Sequence, residues 1–572
     1  MHAQIAVPGF VAIVSADGAA EPTREEIDRF AAAYEAICGS GSRRAYRAPL
    51  ARVVELGAPE AAPANGSWAV TAGVAHGDEG QFARISYDEE SQSVSLTNDP
   101  FGMFPLFRAS RGAMHYFSTS VLALARHLGA APDPLGLHVF LRTGYHFGTR
   151  TSWAGVERLD PAQRCVFTRD RLRVERYWRP EADEAVASLG LEEAASHCTE
   201  ACLDTFRRLY GQQPEAWADL TGGYDSRLLT LALLRAGVRF RSNTIGADWM
   251  EDVRLAKQVA QAADLPWTRF PPPSEPAQEL DHLFPLALAA GHGHLDVVEL
   301  ARVLATHEAK RAHSSTLLTG GGGEHFQYYA WQTEFTRAGR STQVDVDAWV
   351  RMRMLGPALD TSVFAGFPQK EVEADLGDRS LAWIAPYRDE INTRQLDLLY
   401  AYKMMGHFGA YTGAASSVLR AELPFYTRPV FGAAFSTSHR HRNGHRLMGR
   451  MIEGLEPRAS AVTTTRGGPA QPLRLTNLHR FAPYYARLGS KAVQKATGVQ
   501  LYRPRGERRL PASPAWRLAA LRVLADRDPR SFRSQALYKQ DELERLLAGL
   551  DGALFGRVLT VEAALRAVDT EI

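Results

Sequence analysis

The sequence has 572 residues, more than the roughly 100 to 200 of a typical domain, and therefore predicts at least two domains. Hydrophobic residues make up 45% and charged residues 23%, values that exclude a disordered, collagen-like or coiled-coil protein. The formal net charge of +2 creates no overall field that would attract nucleic acid or an anionic membrane, and we expect neither as a partner.

The cysteine content and the hydropathy pattern predict a cytoplasmic location. Four cysteines in so long a chain cannot form a disulfide framework, which favours a reducing compartment. No apolar run approaches the length of a membrane-spanning helix, and the first residues lack the basic segment of a signal peptide. Cys198 and Cys202 lie one helical turn apart beside His197, but the surrounding amphipathic pattern favours two core cysteines over a metal site.

In chain order, the predicted elements divide the sequence into two regions. From Ile5 to about Trp178, short alternating segments separated by Gly, Asp and Asn turns predict an antiparallel, β-rich region with a few helices. From about Leu189 the apolar period changes to 3.6 residues, which predicts an α/β region that becomes mostly helical. The polar segment between them, with Pro180 and Gly190, predicts domains at residues 1–185 and 186–572.

Residues 216–237 carry the clearest chemical signal. An apolar strand runs into a glycine turn and then into a helix, a geometry that offers backbone N–H groups to phosphate. Asp225 in such a loop suits a Mg²⁺ ion that bridges phosphates, whereas a simple N-capping turn is the alternative. No lysine follows the glycines, which indicates a pyrophosphate loop rather than the loop of kinase-like NTPases. The predicted loop consists of Leu220, Thr221, Gly222, Gly223, Tyr224, Asp225 and Ser226.

This loop resembles the S-G-G-x-D-S loop of the asparagine synthetase superfamily, which cleaves ATP between its α and β phosphates. Segments that resemble the family's other motifs follow in the same order: Asn98–Gly102, Pro105–Phe107, Tyr116–Ser120 and the run from Gly144 to Trp178. The resemblance implies an α+β, Ntn-hydrolase-like sandwich domain at the N-terminus. It also implies a second, α/β ATP-pyrophosphatase synthetase domain of the adenine nucleotide alpha hydrolase-like type, with a helical C-terminal part. ATP and Mg²⁺ are the implied cofactors.

The resemblance assigns further site residues. Thr244, Ile245 and Gly246 look like the turn after the second strand, whose backbone contacts adenine in the family, and Asp252 matches the acidic residue that follows. The stretch 317–325 is similar to the family's T-G-x-G-[GS]-D-E turn, with Gly320 and Gly322 in its glycine positions.

Charged positions of the family also find counterparts. Glu324 stands where the family has a second metal-binding aspartate, so Asp225 and Glu324 are the implied ligands of Mg²⁺. Arg446 and Arg466 align where the family stabilises departing pyrophosphate with a cation. Lys403 is the nearest lysine, and we expect it to be solvated on a helix.

Departures from the family pattern bear on the reaction. Asparagine synthetase uses a cysteine at its mature N-terminus to hydrolyse glutamine, whereas His2 and Ala3 stand here and the first cysteine is Cys38. Loss of that cysteine is shared with β-lactam-type synthetases and lasso-peptide cyclases, which close an amide within one molecule. Gly321 replaces the tyrosine of the β-lactam enzymes' T-G-Y-G-S-D turn, and we expect it to leave space for a larger acceptor.

The sequence therefore predicts an ATP-dependent ligase that adenylates a carboxylate and joins it to an amine, favouring intramolecular closure in peptide or natural-product biosynthesis. A small-molecule or peptide carboxylate is the expected substrate, and a precursor peptide or a biosynthetic protein is the expected partner. Two alternatives stay open: a ligase that uses free ammonia or a small amine, and a degenerate nucleotide-binding scaffold. The sequence identifies no general base.

Overall fold

The computed structural model describes residues 6–16, 21–57, 66–273, 280–334, 336–355, 359–497, 512–526, 528–550 and 552–572. The first region contains β1 (Gly9–Ser15), α1 (Arg24–Cys38), β2 (Arg43–Ala48), β3 (Ala51–Leu56), β4 (Trp68–His76), β5 (Glu79–Asp88), β6 (Ser93–Asn98), β7 (Phe107–Arg111), β8 (Met114–Ser118), α2 (Val121–Leu128), α3 (Pro134–Thr143), β9 (Glu157–Arg158), β10 (Gln163–Thr168) and β11 (Arg171–Arg176).

Two antiparallel sheets form a sandwich in this region, in the strand orders β2-β3-β1-β8-β7-β9 and β11-β10-β6-β5-β4. β1 is central in its sheet and apolar on both faces, as its position requires. Phe10 and Ala12 point into the core between the two sheets, and Val11 and Ile13 point into the core beneath α1 and α2. The predicted antiparallel, β-rich region is confirmed.

The second region contains α4 (Glu184–Ser188), α5 (Leu191–Tyr210), β12 (Ala216–Asp219), α6 (Tyr224–Arg235), β13 (Phe240–Ile245), α7 (Glu251–Ala262), β14 (Trp267–Phe270), α8 (Leu283–Ala290), α9 (Val297–Arg311), β15 (Thr316–Leu318), α10 (Val346–Trp349), α11 (Gln369–Ile384), α12 (Asn392–Met404), α13 (Ala410–Ala415), β16 (Arg420–Glu422), α14 (Arg428–Ser436), α15 (His439–Arg442), α16 (Arg446–Leu455), α17 (Pro457–Ala461), α18 (Ala482–Thr497), α19 (Pro514–Leu524), α20 (Gln540–Gly549) and α21 (Gly552–Val568).

The strands of this region form one parallel sheet in the order β14-β13-β12-β15-β16. The order reverses between β12 and β15, and the loops that leave such a pair of strands diverge to opposite faces and open a crevice at the carboxyl edge. The loop after β12 and the turn after β15 therefore lie side by side. Both were predicted as parts of one site, and the sheet brings them together.

One hydrophobic core joins the two regions. It contains residues of α1, α2 and α3 together with residues of α8, α9, α19 and α21. The boundary predicted after residue 185 falls within the short helix α4. That division into domains stays a prediction, because the packing continues across it. In the parts of the chain that the structure describes, no helix combines the length and apolar character needed to cross a bilayer.

Candidate active site

The loop after β12 is held in shape by its own hydroxyl groups. The Oγ of Ser226 accepts a hydrogen bond from the backbone N–H of Thr221 at 2.9 Å and lies 3.0 Å from the Thr221 hydroxyl, which accepts from Gly223 N–H at 3.1 Å. Asp252, at the start of α7, accepts from the N–H of Gly222 at 3.0 Å. The loop is therefore preformed.

Helix α6 begins directly in this loop. Gly223 occupies the N-cap position and supplies no side-chain capping bond, and Asp225 and Ser226 lie inside the first turn. The N-capping alternative for Asp225 or Ser226 is therefore wrong. The N-terminus of α6 therefore lies in the glycine loop, and the positive end of its helix dipole favours an anion there.

The turn after β15 lies against this loop at van der Waals distance. A Cβ on Gly320 would lie 2.9 Å from the backbone nitrogen of Ser226, and a Cβ on Gly323 would lie 2.7 Å from Oδ1 of Asp225. These glycines are needed for the close approach, since a side chain would push the two segments apart.

Two carboxylates meet where the loop and the turn touch. Oδ1 of Asp225 accepts a hydrogen bond from Nε2 of Gln327 at 2.5 Å, and Oε2 of Glu324 accepts from Gly322 N–H at 3.0 Å. Burial raises the pKa of Glu324, while its hydrogen bonds, one of them from Tyr400, and the charge of Arg466 oppose that rise. After burial, the charges of Glu324 and Asp225 both contribute to raising the pKa of Tyr400. Both carboxylates therefore lie within electrostatic reach of one hydroxyl.

This donor set fits a partly hydrated Mg²⁺ ion. Among the described residues, no group of three or more His, Cys, Asp or Glu side chains is arranged to hold a metal alone. Mg²⁺ is commonly held by one or two carboxylates, with water and phosphate oxygens completing its shell. The buried Oε1 of Gln327 has no hydrogen-bond partner among the described residues, which adds an unsatisfied amide oxygen beside Asp225.

The segment that carries Arg466 is fastened onto the loop. Arg227 of α6 is fully buried and donates to three backbone carbonyls within residues 459–463. The N–H of Thr465 donates to the carbonyl of Gly222 at 3.0 Å. These bonds bring residue 466 to the loop from a position more than 200 residues away in sequence.

The two predicted arginines differ in their surroundings. Nη1 of Arg466 donates to Nε2 of His445 at 3.0 Å, and the His445 ring stacks on Tyr224. Burial, together with the Arg466 charge, holds the pKa of His445 well below its usual range, so that the imidazole is neutral and can accept this bond. Arg446 is exposed at the start of α16.

The residues predicted to face adenine lie at the carboxyl end of β13. Thr244 is buried, and its hydroxyl donates to the carbonyl of Leu220 at 2.6 Å. Ile245 is 40% exposed, and Gly246 N–H bonds to the carbonyl of Phe270. The Thr244 side chain thus ties β13 to the loop, while Ile245 presents an apolar surface.

Two expectations are wrong. Lys403 is largely buried rather than solvated: its Nζ donates to the carbonyl of Arg353, and burial lowers its pKa to about 8. The space beside Gly321 is occupied, because a Cβ there would lie 2.8 Å from Cδ2 of Leu423. Gly321 therefore opens no room for a larger acceptor.

The cysteines behave as core residues. Cys198 and Cys202 are buried in α5, as predicted. Cys38 is buried as well, and burial raises the pKa of its thiol to about 12, so it is not an activated nucleophile. His2 and Ala3 lie outside the described residues.

Comparison with known proteins supports the resemblance. The family described as a glutamine amidotransferase domain matches residues 70–178. Asparagine synthetase [glutamine-hydrolyzing] 3 of Bacillus subtilis is 25% identical over 154 residues, which cover 26% of this chain and 25% of that protein. Both matches support an asparagine synthetase-like superfamily. The chain spans about a quarter of the length of this relative.

The amidotransferase match begins within β4 and runs through β11, and it includes the helices α2 and α3. Sequence reasoning missed Gln327 and Tyr400, and it did not pair His445 with Arg466. Gln327 could have been suspected from its place three residues after Glu324, whereas Tyr400 and His445 reach the site only through the folding of distant segments.

Proposed function

We propose that the protein is an AMP-forming carbon–nitrogen ligase that uses ATP and Mg²⁺. The observation that carries this proposal is the convergence of the glycine loop after β12, the carboxylates Asp225 and Glu324, and the guanidinium of Arg466 at the point where the sheet order reverses. Ligand sites lie at such switch points in open α/β sheets.

The residues divide the work as follows. The N-terminus of α6 and the glycine loop before it bind phosphate, and Asp225 and Glu324 hold Mg²⁺. Bound Mg²⁺ neutralises phosphate charge and makes pyrophosphate a better leaving group. We assign to Arg466, which donates a hydrogen bond to His445, the role of stabilising the negative charge that develops on pyrophosphate. Arginine keeps its proton, so Arg466 is no general base.

The proposed reaction has two steps. A carboxylate oxygen of the substrate attacks the α-phosphorus of ATP, the bond to the β-phosphate oxygen breaks, and pyrophosphate leaves. An amine nitrogen then attacks the activated carbonyl carbon, AMP leaves, and the amine loses a proton. When both groups belong to one molecule, proximity lowers the barrier to the second step.

We favour an amine supplied by the substrate itself. The first cysteine of the described chain, Cys38, is buried with a raised pKa, which argues against glutamine hydrolysis by that thiol. A small-molecule or peptide carboxylate is the proposed substrate, and a precursor peptide or a biosynthetic protein is the proposed partner. A cytoplasmic location completes the proposal.

Exchange of labelled pyrophosphate into ATP tests this function. Aspartate, glutamate, β-amino acids and candidate core peptides are each assayed with and without ammonia, alongside Asp225→Ala. Exchange that depends on one carboxylate and is lost in the variant supports adenylation, and product formed without ammonia supports intramolecular closure. If no carboxylate gives exchange and calorimetry detects no Mg²⁺-ATP binding, the ligase proposal fails and the scaffold alternative takes its place.

A further inference from the structure

The hairpin of β4 and β5 reaches from the N-terminal sandwich to the second sheet. Nε2 of His76 lies 2.8 Å from Oε2 of Glu422 in β16. Oε1 of Gln81 accepts a hydrogen bond from the N–H of Leu423 at 3.2 Å. The end of one sheet is therefore bonded to the chain that leaves the edge strand of the other.

Glu79 of the same hairpin caps a helix of the second region. Its Oε2 accepts from the N–H of Arg428, the first residue of α14, at 3.1 Å, and its Oε1 accepts from Nε of Arg428 at 2.7 Å. The N-cap residue Thr427 makes no side-chain capping bond. A carboxylate at a helix N-terminus satisfies an unpaired N–H and interacts favourably with the helix dipole.

Glu79 and Gln81 are both buried, at 5% and 4% exposure. A buried carboxylate must be paired, and removal of one partner leaves the other uncompensated. The contact between the β4–β5 hairpin and the second region is therefore made by buried, hydrogen-bonded side chains.

The hairpin holds residues 422–428, and these residues also pack against the turn after β15 that carries Glu324. The carbonyl of Glu422 accepts from the N–H of Thr319 at 3.0 Å. A Cβ on Gly321 would lie 2.8 Å from Leu423, and a Cβ on Gly322 would lie 2.9 Å from the Tyr426 ring. The turn that carries Glu324 therefore rests directly on residues that the hairpin fixes.

We propose that Glu79 and Gln81 are positioning residues for the Glu324 turn. In this role the N-terminal sandwich sets the place of one metal-binding carboxylate through residues 422–428, without contacting a ligand. The inference rests on the proposed function for its effect on Mg²⁺, although the mechanical coupling does not. It gives a physical reason why a sandwich without an activated cysteine is part of the protein.

Glu79→Gln is the central variant, because it keeps the side-chain volume and one acceptor oxygen but removes the charge and the second acceptor. Gln81→Ala is a second, milder variant that leaves Arg428 paired. Glu55→Gln is the matched control, since Glu55 bonds Arg44 and Tyr46 within its own sheet.

Two measurements on the full chain test the inference. Calorimetric titration of ATP at increasing Mg²⁺ should show that Glu79→Gln needs about three- to tenfold more Mg²⁺ for half-saturation, the size expected when a network residue shifts a distant site. Hydrogen exchange should show faster exchange of the amides in residues 319–327 in Glu79→Gln and Gln81→Ala. Glu55→Gln should match the wild type in both.

The outcomes separate this inference from the proposed function. If the wild type binds no Mg²⁺-ATP, the proposed function fails, and hydrogen exchange alone decides the coupling. Unchanged exchange of residues 319–327 in folded Glu79→Gln and Gln81→Ala overturns the inference. Equal acceleration in Glu55→Gln also overturns it, because the effect would then be general destabilisation.

Discussion

The His445 ring stacks on the Tyr224 ring, with centroids 4.7 Å apart and planes 13° apart. His445 has a left-handed backbone, with φ +61°, which is uncommon for a residue with a side chain. The stack and the hydrogen bond from Arg466 explain how this conformation is held. Together they place a fixed guanidinium beside the first residue of α6.

Arg466→Gln should reduce pyrophosphate exchange by on the order of 10²-fold, as loss of one preorganised charge donor does in other enzymes. Arg446→Gln is the paired variant, because Arg446 is exposed one residue after His445. We expect it to change the rate much less. Exchange rates measured with the carboxylate that supports wild-type activity decide between them. Equal losses would show that the exposed arginine also reaches the pyrophosphate.

Asp225→Asn and Glu324→Gln should each weaken Mg²⁺-dependent ATP binding by at least about tenfold, the lower range seen when groups around a metal are altered. Glu324→Asp should retain most of the binding, since the carboxylate is kept. Calorimetric Mg²⁺ titrations provide the measurement. Asp204→Asn is the control, because that carboxylate is exposed and pairs with Arg207. Normal Mg²⁺ dependence in Asp225→Asn would remove this carboxylate from the site.

Gly320→Ala and Gly321→Ala form a matched pair of one-carbon insertions. At Gly320 the new carbon meets the backbone of Ser226, which cannot yield, whereas at Gly321 it meets the end of the Leu423 side chain, which can rotate. A displacement of the turn near 1 Å would cost on the order of 10²-fold in exchange rate. We expect that loss for Gly320→Ala and a smaller one for Gly321→Ala. The same ranking should appear in ATP affinity, and the reverse order would contradict the contact between loop and turn.

Lys403 predicts a pH dependence of stability. Burial lowers its pKa from 10.5 to about 8, so that between these pH values the unfolded chain binds more protons than the folded chain. The free energy of unfolding should therefore rise with pH across that window. Between pH 7 and pH 10, Lys403→Met should reduce this rise by about 2 kcal/mol.

Urea unfolding at several pH values measures the slope. Lys257→Met, at an exposed position on α7, should keep the slope of the wild type. Identical slopes in all three proteins would mean that the amine of Lys403 titrates as it does in water.

The parts of the site that consist of short, contiguous sequence motifs could be predicted from the sequence. The loop 221–226 and the turn 319–324 each follow a strand and need glycine where backbones meet, so both are legible from local residue order. The side chains that contact these two segments cannot be predicted from local residue order. His445 and Tyr400 arrive through helices far along the chain, and only tertiary packing decides which of their faces turns inward.

The burial of Lys403 could not be predicted from the sequence either. A helix with an apolar stripe would place a lysine on its solvated face, but nearly every residue of α12 is buried. A helix enclosed on all sides carries no period from which exposure can be inferred. The sequence also could not show that the space beside Gly321 is occupied, because Leu423, which fills it, lies about 100 residues further along the chain.

The packing of α21 against α2 has a consequence for biosynthesis. Val121 and Leu122 share a core with Val561 and Ala564, and Nη1 of Arg126 donates to the carbonyl of Ala567 at 2.6 Å. During translation, the apolar face of α2 stays uncovered until α21 is synthesised, more than 400 residues later. Contacts of such long sequence separation slow folding and leave hydrophobic surface exposed on the nascent chain. Shielding of that face during translation should therefore raise the yield of folded protein.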